Sequence, residues 1–275
     1  MGTVEKKLSV VIPSYRDPLL QRTIDSLLEN SELGNELEVI VCLDGYWCEP
    51  PLKNDDRLKI IHLGKNRGMR GAINACVSIA EGEYLMRTDE HATFCKGYDR
   101  ILTETCEPNW IVTPRRYFLD VEKWEIMDIP PVDYSKLAIQ NVREGVRKFA
   151  GKPDKGKAEE RKDVMIDETM AMQGSCWLMP HKWWDDVIGE LQVEGYGPLY
   201  QDSHEMVFKT WKAGGKLMVN KNAWHAHKHR SFSRTHNNGT KENPSNNEAC
   251  WAYSLKVWED YYLTEICPKW GLKGA

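Results

Sequence analysis

Residues 58–91 read LKIIHLGKNRGMRGAINACVSIAEGEYLMRTDEH, and this stretch decides the fold. A β-rich run at 58–63 is followed by a helical run at 71–80, which has small apolar side chains along one side. A second β-rich run, 84–86, leads directly into Arg87-Thr88-Asp89. Alternation of this kind predicts parallel strands joined by right-handed helical crossovers.

The residues before this stretch continue the same pattern. LSVVIP at 8–13 and LEVIVCL at 37–43 are strand patterns, and an amphipathic helical pattern lies between them. We therefore predict an α/β fold with a doubly wound, mostly parallel sheet. Polar clusters follow three of its strands, at 14–17, 44–45 and 89–91. Ligands bind at the carboxyl ends of such strands, so these clusters predict a binding site.

The residues after it are less regular. A charged stretch at 143–163, REGVRKFAGKPDKGKAEERKD, is interpreted as a surface excursion or mobile loop. Helical patterns at 202–213 and around 246–263 flank a strand pattern at 216–219. We expect a single catalytic domain with a helical extension at its C-terminal end.

Composition narrows the class of protein. Over 275 residues, 41% hydrophobic and 28% charged side chains exclude wholesale disorder. No apolar run approaches the ~20 residues that a membrane span needs, so no membrane span is expected. The eight cysteines form no C-x-x-C pair, which together with the missing signal-peptide pattern predicts a reducing, cytoplasmic location.

A metal site is suggested by two groups of residues. Asp89 and His91 follow a strand and project to the same side, and a carboxylate with an imidazole suits Mn²⁺ or a similar divalent ion. His225, His227 and His229 alternate along an extended segment. One of them could complete the site, and the sequence does not decide which. A closed zinc site made from these three histidines is an alternative, although no cysteine pair supports it.

A phosphate-binding segment is suggested by residues 66–71, NRGMRG. Its glycines permit close backbone approach, and Arg67 and Arg70 can pair with phosphates. The helix that follows adds an anion-binding N-terminus. The segment has neither the Walker nor the Rossmann spacing.

These motifs, in this order, resemble GT-A glycosyltransferases of the large family-two type. GSCWLMP at 174–180 and QDSHEMVFKTWKAGGKL at 201–217 extend the resemblance, which covers about residues 8–115 and 170–230. The D-x-H at 89–91, in place of D-x-D, resembles the polypeptide N-acetylgalactosaminyltransferases. The chain also resembles family-two enzymes of phages and environmental viruses, some of which modify hydroxymethylated pyrimidines; for such an origin the location would be the host cytoplasm.

The resemblance implies three portions of the chain: a nucleotide-sugar-binding half at 1–115, an acceptor and metal-completing half at 116–230, and a C-terminal loop and helix at 231–275.

The resemblance also implies a role for each matching residue. It implies a metal, Mn²⁺ or Mg²⁺, held by Asp89, His91 and His227. It implies catalytic acids at Asp202 and Glu205; in relatives the residue at the Asp202 position is either the base or an acid that orients the sugar. The donor-binding residues that it implies are Pro13, Tyr15, Asp17, Asp44, Arg67, Arg70, Asn74, Asp89, Gly174 and Arg230.

The function implied is a metal-dependent hexosyl- or N-acetylhexosaminyltransferase that uses a UDP-sugar or similar donor. The acceptor stays open between a glycan or lipid-linked glycan, a protein and hydroxymethylated DNA. The run 221–241 holds five cations and no acid, which favours DNA, whereas the net charge of −4 opposes it. The non-enzyme alternative is a nucleotide-sugar-binding protein that has lost catalysis. The five cations are Lys221, Lys228, Arg230, Arg234 and Lys241.

Overall fold

The computed structural model of the chain describes residues 5–229, 235–236, 240–241 and 244–272. Its strands, in chain order, are β1 (Leu8–Ser14), β2 (Leu37–Asp44), β3 (Leu58–Leu63), β4 (Tyr84–Thr88), β5 (Ala92–Phe94), β6 (Trp110–Asp120), β7 (Glu125–Ile126), β8 (Ser135–Arg143), β9 (Val146–Pro153), β10 (Ile166–Glu168), β11 (Cys176–Pro180), β12 (Lys216–His227), β13 (Thr235–His236) and β14 (Thr240–Lys241). Its α-helices are α1 (Leu20–Asn30), α2 (Gly68–Val77), α3 (Tyr98–Thr105), α4 (Lys155–Glu160), α5 (His181–Trp183), α6 (Asp202–Lys212), α7 (Pro244–Tyr261) and α8 (Cys267–Lys269).

The main sheet has the strand order β10-β12-β6-β11-β4-β1-β2-β3 within the described residues. β1 pairs in parallel with β2 and β4, β2 pairs in parallel with β3, and β6 pairs in parallel with β12. β11 lies antiparallel between β4 and β6. The predicted α/β fold with a mostly parallel sheet is therefore confirmed.

Apolar side chains cover both faces of this sheet, which explains the nearly continuous apolar strands in the sequence. In β1, Val11 packs into the cluster on the face that α2 covers, whereas Val10 and Ile12 pack into the cluster on the other face. Ile24 and Leu27 of α1 join the second cluster. Because side chains alternate along a strand, both faces are filled by one short segment.

The charged stretch at 143–163 is an ordered β-hairpin and helix, so its interpretation as a mobile loop is wrong. β8 and β9 pair in antiparallel register around a turn in which Gly145 has a φ of 72°. Arg143 bonds to Glu248, at 2.8 Å, and Arg147 bonds to Glu259. Both acids belong to α7, so the arginines fix the hairpin to the C-terminal helix.

The C-terminal helical extension is also confirmed. α7 continues into a π-helical turn at Tyr262–Ile266, and Trp258 and Tyr262 pack around Phe208 of α6. The strand predicted at 216–219 extends to His227 and thereby carries two of the three histidines. Among the described helices, none combines the length and apolar character that crossing a membrane requires.

Candidate active site

A cleft of about 200 Å³ opens at the carboxyl ends of β1, β2 and β4. This is the edge at which the three polar clusters were expected. The first turn of α2 and Leu199 complete its wall. Six of the residues proposed for donor or metal binding line it: Pro13, Tyr15, Asp17, Asp44, Asp89 and His91.

Asp89, His91 and His227 come together at one end of the cleft. His227 Nε2 lies 2.9 Å from Asp89 Oδ2, and His91 Nε2 lies 4.0 Å from the same oxygen. One ligand atom from each residue falls within 4.8 Å of the others. The three side chains reach this point because β4 and β12 both end at this edge of the sheet.

The other two histidines of the 225–229 segment lie elsewhere. His225 shares a strand face with His227, but its Nε2 lies 3.2 Å from Ser175 Oγ. His229 follows the end of β12 and is exposed. Among the described residues, His227 is the member of the segment that meets Asp89 and His91.

Burial and charge set the protonation of this group. Burial lowers the pKa of His227 to about 4, so the imidazole is neutral near pH 7 and donates from Nε2 to the Asp89 carboxylate. Burial opposes ionisation of Asp89, but the positive charge of Arg87 and the His227 hydrogen bond hold its pKa well below the usual range. Arg87 Nη2 lies 2.6 Å from Asp89 Oδ1. The site therefore presents a carboxylate beside a neutral imidazole.

Two further carboxylates support the site. Asp17 Oδ2 lies 3.1 Å from His91 Nδ1, which orients the ring so that Nε2 faces Asp89. Glu90 accepts a hydrogen bond from the backbone N–H of Tyr15. Sequence reasoning missed the contributions of Glu90 and Arg87, although both lie within two residues of Asp89.

Asp44 lies at the base of the cleft and caps α2. Its carboxylate accepts hydrogen bonds from the backbone N–H groups of Arg67, at 2.6 Å, and Gly68, at 2.7 Å. Burial raises its pKa, although these two bonds oppose the shift. Gly68 has a φ of 78°, and a Cβ there would lie 2.4 Å from Pro198 Cβ. Glycine therefore lets the 198–199 segment close over the start of α2.

Arg70 does not lie in the cleft, which corrects its proposed place near a diphosphate. Its side chain is fully buried, and Nε and Nη2 donate to the carbonyl oxygen of Tyr200 at 3.0 and 2.8 Å. Nη1 donates to the carbonyl oxygen of Gln192 and pairs with Glu205. The guanidinium also lies over the ring of Tyr196. Arg70 thus holds the 192–200 segment against α2.

Asn74, which was also expected near a diphosphate, instead binds the backbone of Leu191, next to the 192–200 segment that Arg70 holds. Its amide donates to the carbonyl oxygen of Leu191 at 3.0 Å and accepts from the Leu191 N–H at 2.9 Å. The amide is therefore committed to backbone contacts.

Neither of the two predicted catalytic acids is among the residues that line the cleft, and they differ in whether their carboxylates are paired. Glu205 is buried between Arg70 and Lys209, whose Nζ lies 2.7 Å away, so its carboxylate has a structural partner on each side. Asp202 is the first residue of α6 and is 6% exposed, and its Oδ2 has no hydrogen-bond partner among the described residues. A Cβ at Gly174 would lie 3.7 Å from that oxygen. Arg230 lies outside the described residues.

Comparison with known proteins identifies the family. The sequence model described as Glycosyl transferase family 2 matches residues 9–185 of the chain. The chain belongs to this family. No curated protein matches this family-2 chain in sequence.

A solved structure confirms that the family-2 chain has the GT-A fold. The crystal structure of GalNAc-T7 with UDP, GalNAc and Mn²⁺ superposes with a TM-score of 0.69 at 17% sequence identity. The match covers 93% of this chain and 49% of that one, so this chain spans about half the length of GalNAc-T7. At this identity the likeness concerns the fold alone.

The buried pair of Arg70 and Glu205 in this family-2 protein leads to a stability prediction. Replacing Arg70 with methionine should lower the free energy of unfolding by roughly 3 kcal/mol, because the buried Glu205 carboxylate would lose one of its two cationic partners and the carbonyls of Gln192 and Tyr200 would lose their donor. Urea denaturation of purified variants measures the change. The matched control is Arg147→Met, whose exposed pair with Glu259 should contribute about 1 kcal/mol or less. Equal losses in the two variants would contradict this assignment.

Proposed function

We propose that this family-2 protein is a divalent-metal-dependent transferase that moves a sugar from a UDP-sugar, or a similar nucleotide sugar, to an acceptor hydroxyl. The observation that carries the proposal is the convergence of Asp89, His91 and His227 at the end of the cleft. The transferred group is a hexosyl or N-acetylhexosaminyl unit. The GalNAc-T7 structure, which has the same fold, contains UDP, GalNAc and Mn²⁺.

The three side chains fit a divalent ion. They offer one carboxylate and two imidazoles, a donor set that suits Mn²⁺ better than Mg²⁺. Burial keeps His227 neutral, Asp17 orients His91, and Arg87 orients Asp89. A divalent ion held there would act as a Lewis acid and stabilise the charge on the departing diphosphate.

The remaining residues of the cleft have complementary roles in the proposal. Asp44 and Tyr15 hold the nucleoside at the β1 and β2 end, and Pro13 shapes the floor beside them. The backbone of Arg67, at the start of α2, faces the diphosphate. Asp202, beside Gly174, faces the transferred sugar; it either removes the acceptor proton or orients the sugar ring.

One of the five cations that favour the DNA alternative lies in an internal contact. Lys221 is 4% exposed, and its Nζ donates to the carbonyl oxygen of Arg161 at 2.7 Å. Arg143 and Arg147, in the charged stretch at 143–163, are exposed but paired with acids of α7. Arg230 and Arg234 lie outside the described residues. We therefore propose a non-nucleic acceptor and keep hydroxymethylated DNA as an outcome of the test.

The test is a matrix of donors, metals and acceptors. The protein is incubated with a panel of UDP-sugars and Mn²⁺, Mg²⁺ or EDTA. Neutral and acidic glycosides, peptides and hydroxymethylated duplex DNA serve as acceptors, and mass spectrometry detects transfer. We expect metal-dependent transfer to a sugar or peptide hydroxyl. Donor binding without transfer or donor hydrolysis under any condition would instead identify a binding protein.

The place of Asp44 leads to a prediction about donor affinity. Asp44→Ala should weaken UDP binding by about 5- to 150-fold, corresponding to a lost buried polar contact of ~1–3 kcal/mol. Calorimetric titration with UDP measures the change, and circular dichroism verifies the fold. Asp25→Ala, on the exposed side of α1, is the control and should leave affinity unchanged. Unaltered UDP affinity in the Asp44 variant would remove Asp44 from the nucleoside site.

A further inference from the structure

A second, smaller chamber shares no lining residue with the cleft. Strands β6, β11 and β12 contribute Arg116, Cys176 and His225 to its wall, and Asp133 and Gln173 also line it. Its free volume of about 10 Å³ corresponds to roughly one water-sized group. The chamber adjoins the metal-ligand residues, since Ser175 bonds to both His225 and the backbone N–H of Asp89.

Arg116 is a buried cation, and no acid pairs with it in the part of the chain that the structure describes. It is 8% exposed, and its Nε has no hydrogen-bond partner among the described residues. Its guanidinium contacts the ring of Phe118, 4.9 Å from Cζ to the ring centroid. Burial lowers the pKa of Arg116 to about 10, which leaves the side chain charged near pH 7.

The acid that lines the chamber is already neutralised. Both oxygens of Asp133 accept hydrogen bonds from the neighbouring Arg115, at 2.7 and 2.8 Å. The charge of Arg115 and that of Asp133 therefore cancel, and the charge of Arg116 remains. Burying an uncompensated charge is costly, so the chamber is built to receive a negative group.

His225 provides a second polar atom beside Arg116. The two residues are opposite each other in the parallel register of β6 and β12, so their side chains share a sheet face. His225 Nε2 is taken by Ser175, and Nδ1 has no hydrogen-bond partner among the described residues. His227, two residues further along the same face, reaches Asp89. A group bound by Arg116 and His225 would thus lie next to the reaction centre.

We propose that Arg116 and His225 bind the carboxylate of an acidic sugar substrate, so that the enzyme uses a uronic acid. This inference rests on the proposed glycosyl transfer. One carboxylate oxygen fits the free volume of the chamber, and hydrogen bonds from a guanidinium to a carboxylate are strengthened by the two charges. The nucleoside end of the cleft lies at β1 and β2, beyond the metal ligands. The carboxylate therefore belongs either to the acceptor or to the transferred sugar.

The first experiment measures binding without donor or turnover. Phenyl glucuronide and phenyl glucoside, which differ at the carboxylate, are titrated into the wild-type protein and into two variants. In Arg116→Gln we expect at least a tenfold loss of glucuronide affinity and little change for glucoside. Arg100→Gln removes the same charge from the exposed surface of α3 and should match the wild type. Glucuronide binding no tighter than glucoside binding in the wild type would exclude the acceptor as the source of the carboxylate.

The second experiment identifies the source of the carboxylate. One arm supplies UDP-glucose with phenyl glucuronide or phenyl glucoside as acceptor, and the other supplies UDP-glucuronate with phenyl glucoside. If Arg116→Gln loses transfer to phenyl glucuronide but not to phenyl glucoside in the first arm, the chamber belongs to the acceptor. If the variant loses transfer from UDP-glucuronate but not from UDP-glucose, the chamber belongs to the donor. Equal rates for the variant and the wild type in both arms overturn the proposal while leaving glycosyl transfer intact.

The remaining outcomes distinguish a variant that fails to fold from one that has lost carboxylate binding. If Arg116→Gln does not fold, Arg116→Lys keeps the charge but loses the guanidinium donors, and should show an intermediate glucuronide affinity. A glucuronide affinity of the Arg116→Lys variant equal to that of the wild type would refute recognition by the guanidinium group. If glucuronide discrimination holds but no sugar is transferred, the proposed function fails and the carboxylate site remains.

Discussion

Exchanging His227 for alanine is expected to reduce sugar transfer by roughly 10³-fold and to weaken Mn²⁺ binding in parallel. The metal would retain Asp89 and His91 alone from the group that meets at the end of the cleft. Charge stabilisation of several kcal/mol at the departing diphosphate would be lost, and each 1.36 kcal/mol corresponds to about tenfold in rate. Calorimetric titration with Mn²⁺ and a transfer assay with excess metal measure the two effects separately.

The neighbouring His229→Ala is the matched control, because His229 is exposed beyond the end of β12. It should bind Mn²⁺ and turn over like the wild type. Full transfer in EDTA, or by the His227 variant, would rule out a catalytic metal at this site. Loss of activity in the His229 variant alone would mean that the wrong histidine has been assigned.

Exchanging Asp202 for asparagine is expected to lower kcat by about 10²- to 10⁴-fold, the usual contribution of a positioned acid or base. Asparagine has nearly the same shape, and Asp202 Oδ2 has no hydrogen-bond partner among the described residues. Stability should therefore change little while turnover falls. Steady-state kinetics measure kcat and KM, and thermal unfolding verifies the fold.

The control for this exchange is Asp186→Asn, which alters an exposed carboxylate paired with Lys182. NMR of the product anomer then separates the two roles proposed for Asp202, since inversion requires a base and retention requires an orienting group. A kcat within twofold of the wild type in the Asp202 variant would exclude both roles.

The parts of the protein that local sequence determines were predictable. β1, β2 and β3 follow from short apolar runs, and the polar clusters after the strands follow from the parallel arrangement. The grouping of Asp89 and His91 depends on two positions in one tripeptide. His227 was implied by family resemblance, whereas its alternation with His225 and His229 could not select among the three.

The parts that depend on distant partners could not be predicted in this way. Arg70 stands in a motif typical of phosphate binding, but its guanidinium is bound by Gln192, Tyr200 and Glu205, more than 120 residues away. The charged stretch at 143–163 is ordered by acids of α7 that are separated from it by 105 and 112 residues. Charge in a sequence does not reveal whether its partner is solvent or another part of the chain.

Leu199, in the wall of the cleft, is a position at which the shape of the cleft can change. Leu199 lines the cleft, yet it lies beyond residue 185, where the match to family 2 ends. Arg70 and Asn74 anchor the segment 191–200 from α2 through its backbone atoms, and Leu191 and Tyr196 are buried in the core, whereas Leu199 lines the cleft. An exchange of Leu199 alone should therefore reshape the wall of the cleft while the path of the segment and the metal ligands stay in place.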